Sequence, residues 1–439
     1  MSSAVRRTSR IVLAAVSAVG MLAVAACGGG SGSGSEQSQA EGPDFSQRGP
    51  INFVSGKDTS NAVPKLIEKW NAEHPDEKVT FVELSDSADQ QRASMIQNAQ
   101  TKGEDYTVLD TDVVWMSEFA ANGWIDPLPK EQFPTDTMLK SAVDGATYFN
   151  KLFALPVTSD GAMLYSRKDW LEAAGVQAPK TWDEMKAACK TIKEKVPEAA
   201  QADCYAGQHQ KYEGLTVNVA EAIDSAGGSV VEGDKVSVNS PEAVEGLKWM
   251  SDSMADGTIP KAAITWKEEE SRTAFQEGKL IFHRNWPYVY SKFGANDGSS
   301  KVVDKFSVSP IPGKDGPGVS SLGGHNYAIS KFAKNKGTAL DFIKFASAPE
   351  QQKQRTQTSA LAPTIESLYD DPELVKEYPY LPVLKESIAT AKPRPKVVKY
   401  GDVTLAIQDA TYGVLQGQKE PQAAMDELQP KLEELTKNN

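Results

Sequence analysis

The feature that most constrains the fold is an alternation of strand-like and helix-like segments between residues 51 and 122. Ile51-Asn52-Phe53-Val54 is short and β-rich. Val63, Leu66, Ile67 and Trp70 then recur at the three- and four-residue spacing that places them on one face of a helix. Residues 79–84 predict a second strand and 88–102 a helix stopped at Gly103. Residues 106–110 predict a third strand and 113–122 a helix stopped at Gly123. This β-α-β-α-β-α order is that of a doubly wound α/β lobe, whose ligands sit beyond the carboxyl ends of the strands. The segments to inspect are therefore 55–61, 85–91 and 111–115.

One such lobe does not account for the chain. Beyond residue 49 there remain about 390 of the 439 residues, more than a single core holds, so two lobes are expected. A second α/β lobe begins after the stretch LPVTSDG, with a strand at 163–165 and helices at 168–174 and 181–195. Thr181-Trp182-Asp183-Glu184 opens the latter helix like a capping box. Further helices are expected at 241–255, 268–277 and 336–346, and strands at 279–283, 306–310 and 326–330. From Pro363 onward the chain reads as largely helical. Lobe I is assigned residues 50–157 and 311–358, and lobe II residues 158–310 and 359–439.

The N-terminus states where the chain works. Arg6, Arg7 and Arg10 precede an apolar run at 11–26 that is too short for a transmembrane helix of about 20 residues. Residues 1–26 read as a signal peptide. The run ends Val24-Ala25-Ala26-Cys27, which resembles the bacterial lipobox, and implies a diacylglycerol anchor on Cys27. The alternative is an ordinary signal peptide with an incidental Cys. The Gly/Ser-rich segment that follows Cys27 directly argues for the anchor. Residues 27–49 form the lipidated Cys and a flexible tether.

The formal charge of −12 includes the three leader arginines, so the processed chain is near −15. Such a surface excludes nucleic acid as a partner. In an exported chain Cys189 and Cys204 are expected to form a disulfide that staples a helix end to the loop after it; two free thiols are the alternative. The chain carries no nucleophile elbow, no H-E-x-x-H and no P-loop lysine. His74, His209, His283 and His325 lack ligand spacing. No catalytic residue, metal or cofactor is expected, and the protein is expected to be a monomer.

Several longer stretches carry a resemblance. LPVTSDGAMLYSRKDWLEAAGV, EEESRTAFQEGKLIFHRNWPYVY, VSPIPG, LGGHNYAIS and TALDFIKFASAPEQQ occur in the order found in family 1 extracellular solute-binding proteins of carbohydrate ABC importers. The resemblance covers nearly the whole processed chain. It implies a type II periplasmic-binding-protein-like fold, with a ligand cleft between two α/β lobes joined by hinge crossings. LDTDVVW, YEGLTVN, SAGGSV, NWPYVY and KPRP further resemble the actinobacterial trehalose/maltose-binding group. Two departures stand out. The family's Asn in the first crossing is Asp160 here, and the insert between NWP and the GG motif is shortened. The implied function is capture of an α-linked disaccharide, trehalose first and maltose or short malto-oligosaccharides next, for an ABC permease. The competing readings are a lipid-anchored glycoside-acting enzyme and a sugar sensor.

A sugar offers hydroxyls that donate and accept, over apolar C–H faces. A site for it needs planar polar groups and aromatic rings. The resemblance assigns Asp112 to ligand contact; an N-cap of the following helix is the competing role. Asp110 is expected inside the strand. Asp58 and Gln91 match polar positions after the first two strands, with a helix cap and a solvated face as their bland alternatives. Asp160 lies in the first crossing. Glu269 and Glu270 open a helix, where its dipole favours carboxylates anyway, and Glu269 is preferred as the one facing sugar. Trp286 is expected to stack on the ligand. Gly323 and Gly324 are expected to let backbone approach it, and Arg394 to donate to it. Trp115, Trp249 and Trp266 are expected in the core or at the rim.

Overall fold

The computed structural model describes residues 42–232 and 235–437. Cys27 and most of the tether lie outside the described residues. Among those described, no helix is long and apolar enough to cross a membrane.

Among the described residues, nine strands make the two larger sheets. In the first lobe lie β1 (Ile51–Ser55), β2 (Val79–Glu83), β3 (Val108–Asp112) and β4 (Ala154–Pro156). The second lobe holds β5 (Met163–Arg167), β6 (Asp203–Ala206), β7 (Leu280–Asn285) and β8 (Phe306–Ser309). The last strand, β9 (His325–Ile329), returns to the first sheet, whose order is β2-β1-β3-β9-β4. β1 is parallel to β2 and β3, and β9 is antiparallel to β3 and β4. The second sheet has the order β8-β5-β7-β6. The chain passes between lobes at 157–162 and 310–324, and again after the helix that ends at Ser359.

The helices that position the site follow from local sequence. In α1 (Ala62–Glu73) Leu66, Ile67 and Trp70 are buried on one face, as their spacing requires. α2 (Ala88–Gln100) follows β2. α3 (Glu213–Ser225) was not foreseen. Almost every one of its residues is buried, so it lacks the alternation of polar and apolar faces that marks a surface helix. α4 (Glu268–Gln276), α5 (Pro349–Ser359) and α6 (Tyr400–Leu415) complete the set around the cleft. Thr181 and Glu184 do form the expected capping box.

Three expectations shift. β3 starts two residues late, because Val108 and Leu109 pair with Phe53 and Val54 of β1. Asp112 thereby becomes the last strand residue rather than a residue beyond the strand's end. The expected helix 113–122 divides into a 3-10 turn, Val113–Trp115, and a helix, Met116–Ala121. Residues 313–321, expected with lobe I, bond instead to segments of lobe II. Gly313 N donates to Lys180 O, Lys314 N to Ser225 O and Val319 N to Ser225 Oγ. A Cβ on Gly313 would meet Gly318, and a Cβ on Gly318 would meet Ser225 Oγ at 2.8 Å, so this loop lies close against the second lobe before it crosses. Cys189 and Cys204 are bridged with Cα atoms 5.5 Å apart. Cys204 lies in strand β6, not in a loop, so the bridge ties a helix to the sheet it covers.

Candidate functional site

A cavity of about 310 Å³ lies between the lobes, beyond the carboxyl ends of β1 and β3. That is the lower end of the range for ligand pockets, about 300–1,000 Å³. Asp58, Gln91, Asp112, Asp160, Glu269, Glu270, Trp286, Gly323, Gly324 and Arg394 all line it.

The first-lobe wall is made by short-range bonds. Asp58 Oδ1 accepts from Ser60 N and Ser60 Oγ, and Oδ2 from Val63 N at 2.8 Å, which caps α1. Gln91 Nε2 donates to Ser85 O at 2.9 Å, and its amide packs where a Cβ on Gly56 would stand. Asp112 Oδ1 accepts from Val114 N at 3.1 Å, so the capping role is real. The same oxygen accepts from Arg394 Nη2 of the second lobe at 3.0 Å. Asp110, in the middle of β3, accepts from Ser55 Oγ at 2.6 Å and bonds His325 Nδ1 at 3.0 Å.

His325 and Asp160 face each other across the two crossings. Burial alone lowers the His325 pKa, but Asp110, Asp112 and Asp160 outweigh it and push it up to about 9. His325 is therefore cationic at neutral pH, with 43 % of its side chain accessible in the cavity it lines. Burial raises Asp160 to about 6, against the pull of His325. The backbones of the crossings are clasped, Gly323 N to Asp160 O at 2.8 Å and Asp160 N to Gly323 O at 3.1 Å.

The two glycines also have a packing reason within the protein. A Cβ on Gly323 would stand 2.9 Å from Trp286 Cζ3, so Gly323 makes room for the indole. Gly324 has φ +118°, and a Cβ there would lie 2.3 Å from Thr158 O. Both are small enough that one crossing packs against the other crossing and against Trp286.

The second-lobe wall is held by side chains from distant segments. Trp286 rests on the Arg284 guanidinium, 4.1 Å from the ring centroid. Arg284 is 1 % exposed and is clamped by Glu221 and by Gln208 Oε1 at 2.8 Å. On α4, Glu268 accepts from Tyr212 OH and Glu269 from Tyr288 OH, each at 2.6 Å. Glu269 also pairs with Arg272 at 2.8 Å, while Glu270 folds back to accept from Lys267 N at 3.0 Å. Burial raises the pKa of Glu268. Arg394 is buried; its Nη1 donates to Glu213, and burial raises the Glu213 pKa against the pull of that guanidinium.

Polar contacts join the lobes around the cavity. Besides Asp112–Arg394, Lys267 Nζ meets Asp86 at 3.0 Å, Lys396 Nζ meets Asp144 O at 3.1 Å, and Lys292 Nζ donates to Thr59 O. Trp115 is buried against Phe119 and reaches the cavity, whereas Trp249 stacks on Trp182 inside the second lobe. Sequence reasoning passed over Glu213, Glu268, His325, Tyr212 and Tyr288. Glu268 had a usable signal, being the first acidic residue of a helix whose next two had been singled out. Tyr212 and Glu213 lie in YEGLTVN, Tyr288 in NWPYVY and His325 in LGGHNYAIS, but their side-chain partners lie 19 residues away or more.

Comparison with known proteins places this architecture. The model of the bacterial extracellular solute-binding proteins matches residues 55–353. A probable ABC transporter-binding protein of Deinococcus radiodurans is 31 % identical over 386 residues, 84 % of this chain and 89 % of the relative. The galactooligosaccharide-binding protein of Bacillus subtilis is 23 % identical over 420 residues, 92 % of each chain. Among solved structures, maltose-bound MalE3 of T. maritima superposes with a TM-score of 0.83 at 30 % identity, covering 88 % of this chain and 99 % of that one. The GacH receptor of Streptomyces glaucescens, solved unliganded and with acarbose, superposes with a TM-score of 0.78 at 23 % identity, over 89 % and 99 %. The two-lobe periplasmic-binding-protein-like fold is thus shared with maltose-binding structures.

Proposed function

The chain belongs to the bacterial extracellular solute-binding protein family, and from that premise we propose that it captures a sugar outside the cell for an ABC importer. The family is one of binding proteins, so capture and release, not turnover, is its work. The observation that carries the reading is a single cavity to which both lobes bring planar polar groups, with an indole on one side. Such a site matches the hydroxyls and C–H faces of a sugar.

The sugar is an α-linked disaccharide, trehalose before maltose and short malto-oligosaccharides. Its support is the solved relative that holds maltose and the motif order that the chain shares with the trehalose/maltose-binding group. In this reading Asp112 binds a sugar hydroxyl through Oδ2, since its protein partners both use Oδ1. Trp286 offers the ring face opposite Arg284. Asp160, Glu269 and Arg394 supply further partners, and Asp58, Gln91 and Glu270 shape the rim. Closure of the lobes is favoured by contacts to both at once, which is how a ligand shifts a two-state equilibrium. The protein works as a monomer, held to the outer face of the membrane by lipid on Cys27, and hands the sugar to the permease.

Titration calorimetry with trehalose, maltose, maltotriose and sucrose tests the sugar. Trehalose is expected to bind most tightly; heat from none of the four would sink the α-glucoside reading. Palmitate incorporation into the wild type but not into Cys27→Ala tests the anchor.

A further inference from the structure

Glu213 lies at the first turn of α3, on the second lobe, and is 3 % exposed. Its side-chain hydrogen bonds are made within that lobe, while its backbone bonds Asp89 of α2 in the first lobe. Oε1 accepts from Arg394 Nη1 and from Tyr400 OH, and Oε2 accepts from Thr404 Oγ1 at 2.7 Å. Tyr400 and Thr404 share one face of α6, one turn apart. The carboxylate is thus fixed by three donors from two segments, and it fixes one arm of the Arg394 fork in turn. Pro393 and Pro395 flank that arginine and stiffen its backbone.

The other arm of the fork leaves the lobe. Nη2 reaches Asp112 Oδ1 at 3.0 Å, and that oxygen is held from its own side by Val114 N. Donor and acceptor are therefore both oriented before they meet, and no ligand atom takes part in their bond. When the lobes separate, Asp112 keeps its cap and Arg394 keeps Glu213. The Asp112–Arg394 bond is exchanged for water, together with the other polar contacts that join the lobes.

We propose that Glu213 is a positioning residue for capture: it holds Arg394 where Asp112 meets it, so the cleft carries a closing contact of its own that acts without ligand. The sugar then binds a cleft whose closed form is already populated, and apparent affinity rises with that fraction. This deepens the capture reading given above and rests on it for the identity of the ligand, but the latch itself does not.

Small-angle X-ray scattering of ligand-free wild type and Glu213→Gln tests it. The glutamine keeps the shape and drops the charge. The variant is expected to show a larger radius of gyration without sugar, to bind the tightest sugar of the calorimetric panel about five- to tenfold more weakly, and to regain the wild-type radius at saturation. Scattering and binding equal to wild type would overturn the proposal. Should Glu213→Gln fail to melt cooperatively, Tyr400→Phe and Thr404→Val each remove one donor from Glu213 and are expected to give the same changes at smaller size. A second readout separates positioning from mere support. Adding Glu213→Gln to Asp112→Ala is expected to enlarge the ligand-free radius no further, because the acceptor that Arg394 reaches is already gone; a fully additive change would refute the coupling. If the wild type binds none of the panel sugars, the sugar reading falls, and the ligand-free scattering still decides the latch.

Discussion

On the first-lobe wall, the bonds that Asp58, Gln91 and Asp112 make within their own lobe reach groups two to six residues away in the chain. On the second-lobe wall, Glu268, Arg284 and Glu213 are held by side chains 56 to 191 residues away. The first wall is a row of caps at strand ends, and each cap would form in almost any chain with the same local sequence. The second is a buried network that exists only after α3, β7 and α6 have packed together. The difference teaches that side chains of similar chemistry can stand opposite each other and yet answer differently to mutation. A change in a cap is absorbed by the neighbouring water and backbone, whereas a change in the network strands a charge.

The sharpest way to break this comparison is Glu221→Ala. It leaves the buried Arg284 without its carboxylate, and removing one partner of such a pair costs about 3–5 kcal/mol. Denaturant unfolding followed by circular dichroism measures it; a loss no larger than that of a surface cap would show the network to be dispensable. Cys189→Ala with Cys204→Ala opens a 15-residue separation in the second lobe. The loss expected is about 3 kcal/mol, seen equally by reducing the wild type before the melt.

Next come the ligand contacts on opposite walls. Asp112→Ala and Trp286→Ala are each expected to cost about 1.5–3 kcal/mol of binding, or roughly ten- to hundredfold in affinity. Both should keep a melting transition. Wild-type affinity in both variants would mean that the sugar sits elsewhere. Asp58→Ala removes only the α1 cap, worth about 1 kcal/mol of stability. A larger fall would contradict the picture of the first wall as a set of local bonds.

The remaining effect expected is in pH. His325 is raised to about 9 from an ordinary 6.5, so the proton is favoured by the folded state. That contribution is complete below pH 6.5 and fades as pH rises through 9. Asp160 is raised to about 6, which works in the opposite direction for an acid: its charging opposes folding as pH climbs from about 3.8 to 6. Melting temperature should therefore decline from pH 6.5 to 9 in the wild type and less so in His325→Gln. Asp160→Asn should gain stability over the wild type above pH 6. An unchanged slope in His325→Gln would remove the histidine from the account.

What could be read in the chain was whatever depends on near neighbours. The α1 face follows from the spacing of Leu66, Ile67 and Trp70, and the Thr181 capping box from four consecutive residues. All ten residues singled out beforehand line one cavity, because strand ends and motif order locate a cleft even when roles are unknown. The roles were another matter. That Gly323 also makes room for the Trp286 ring could not be read from the chain. Glu213 was overlooked because α3 is buried on all sides and shows no period to mark its carboxylate as special.

The sequence by itself determined the α/β lobes, their caps and the region of the cleft, since hydrogen-bonding partners within a turn and apolar spacing along an element are local facts. Only the tertiary structure decided that Arg394 spans from Glu213 to Asp112, that Trp286 leans on Arg284, and that residues 313–321 belong with the second lobe. Each of those depends on which charges and rings meet once distant segments have packed. Burial makes such a meeting decisive, because a charge withdrawn from water must find its partner in the fold itself.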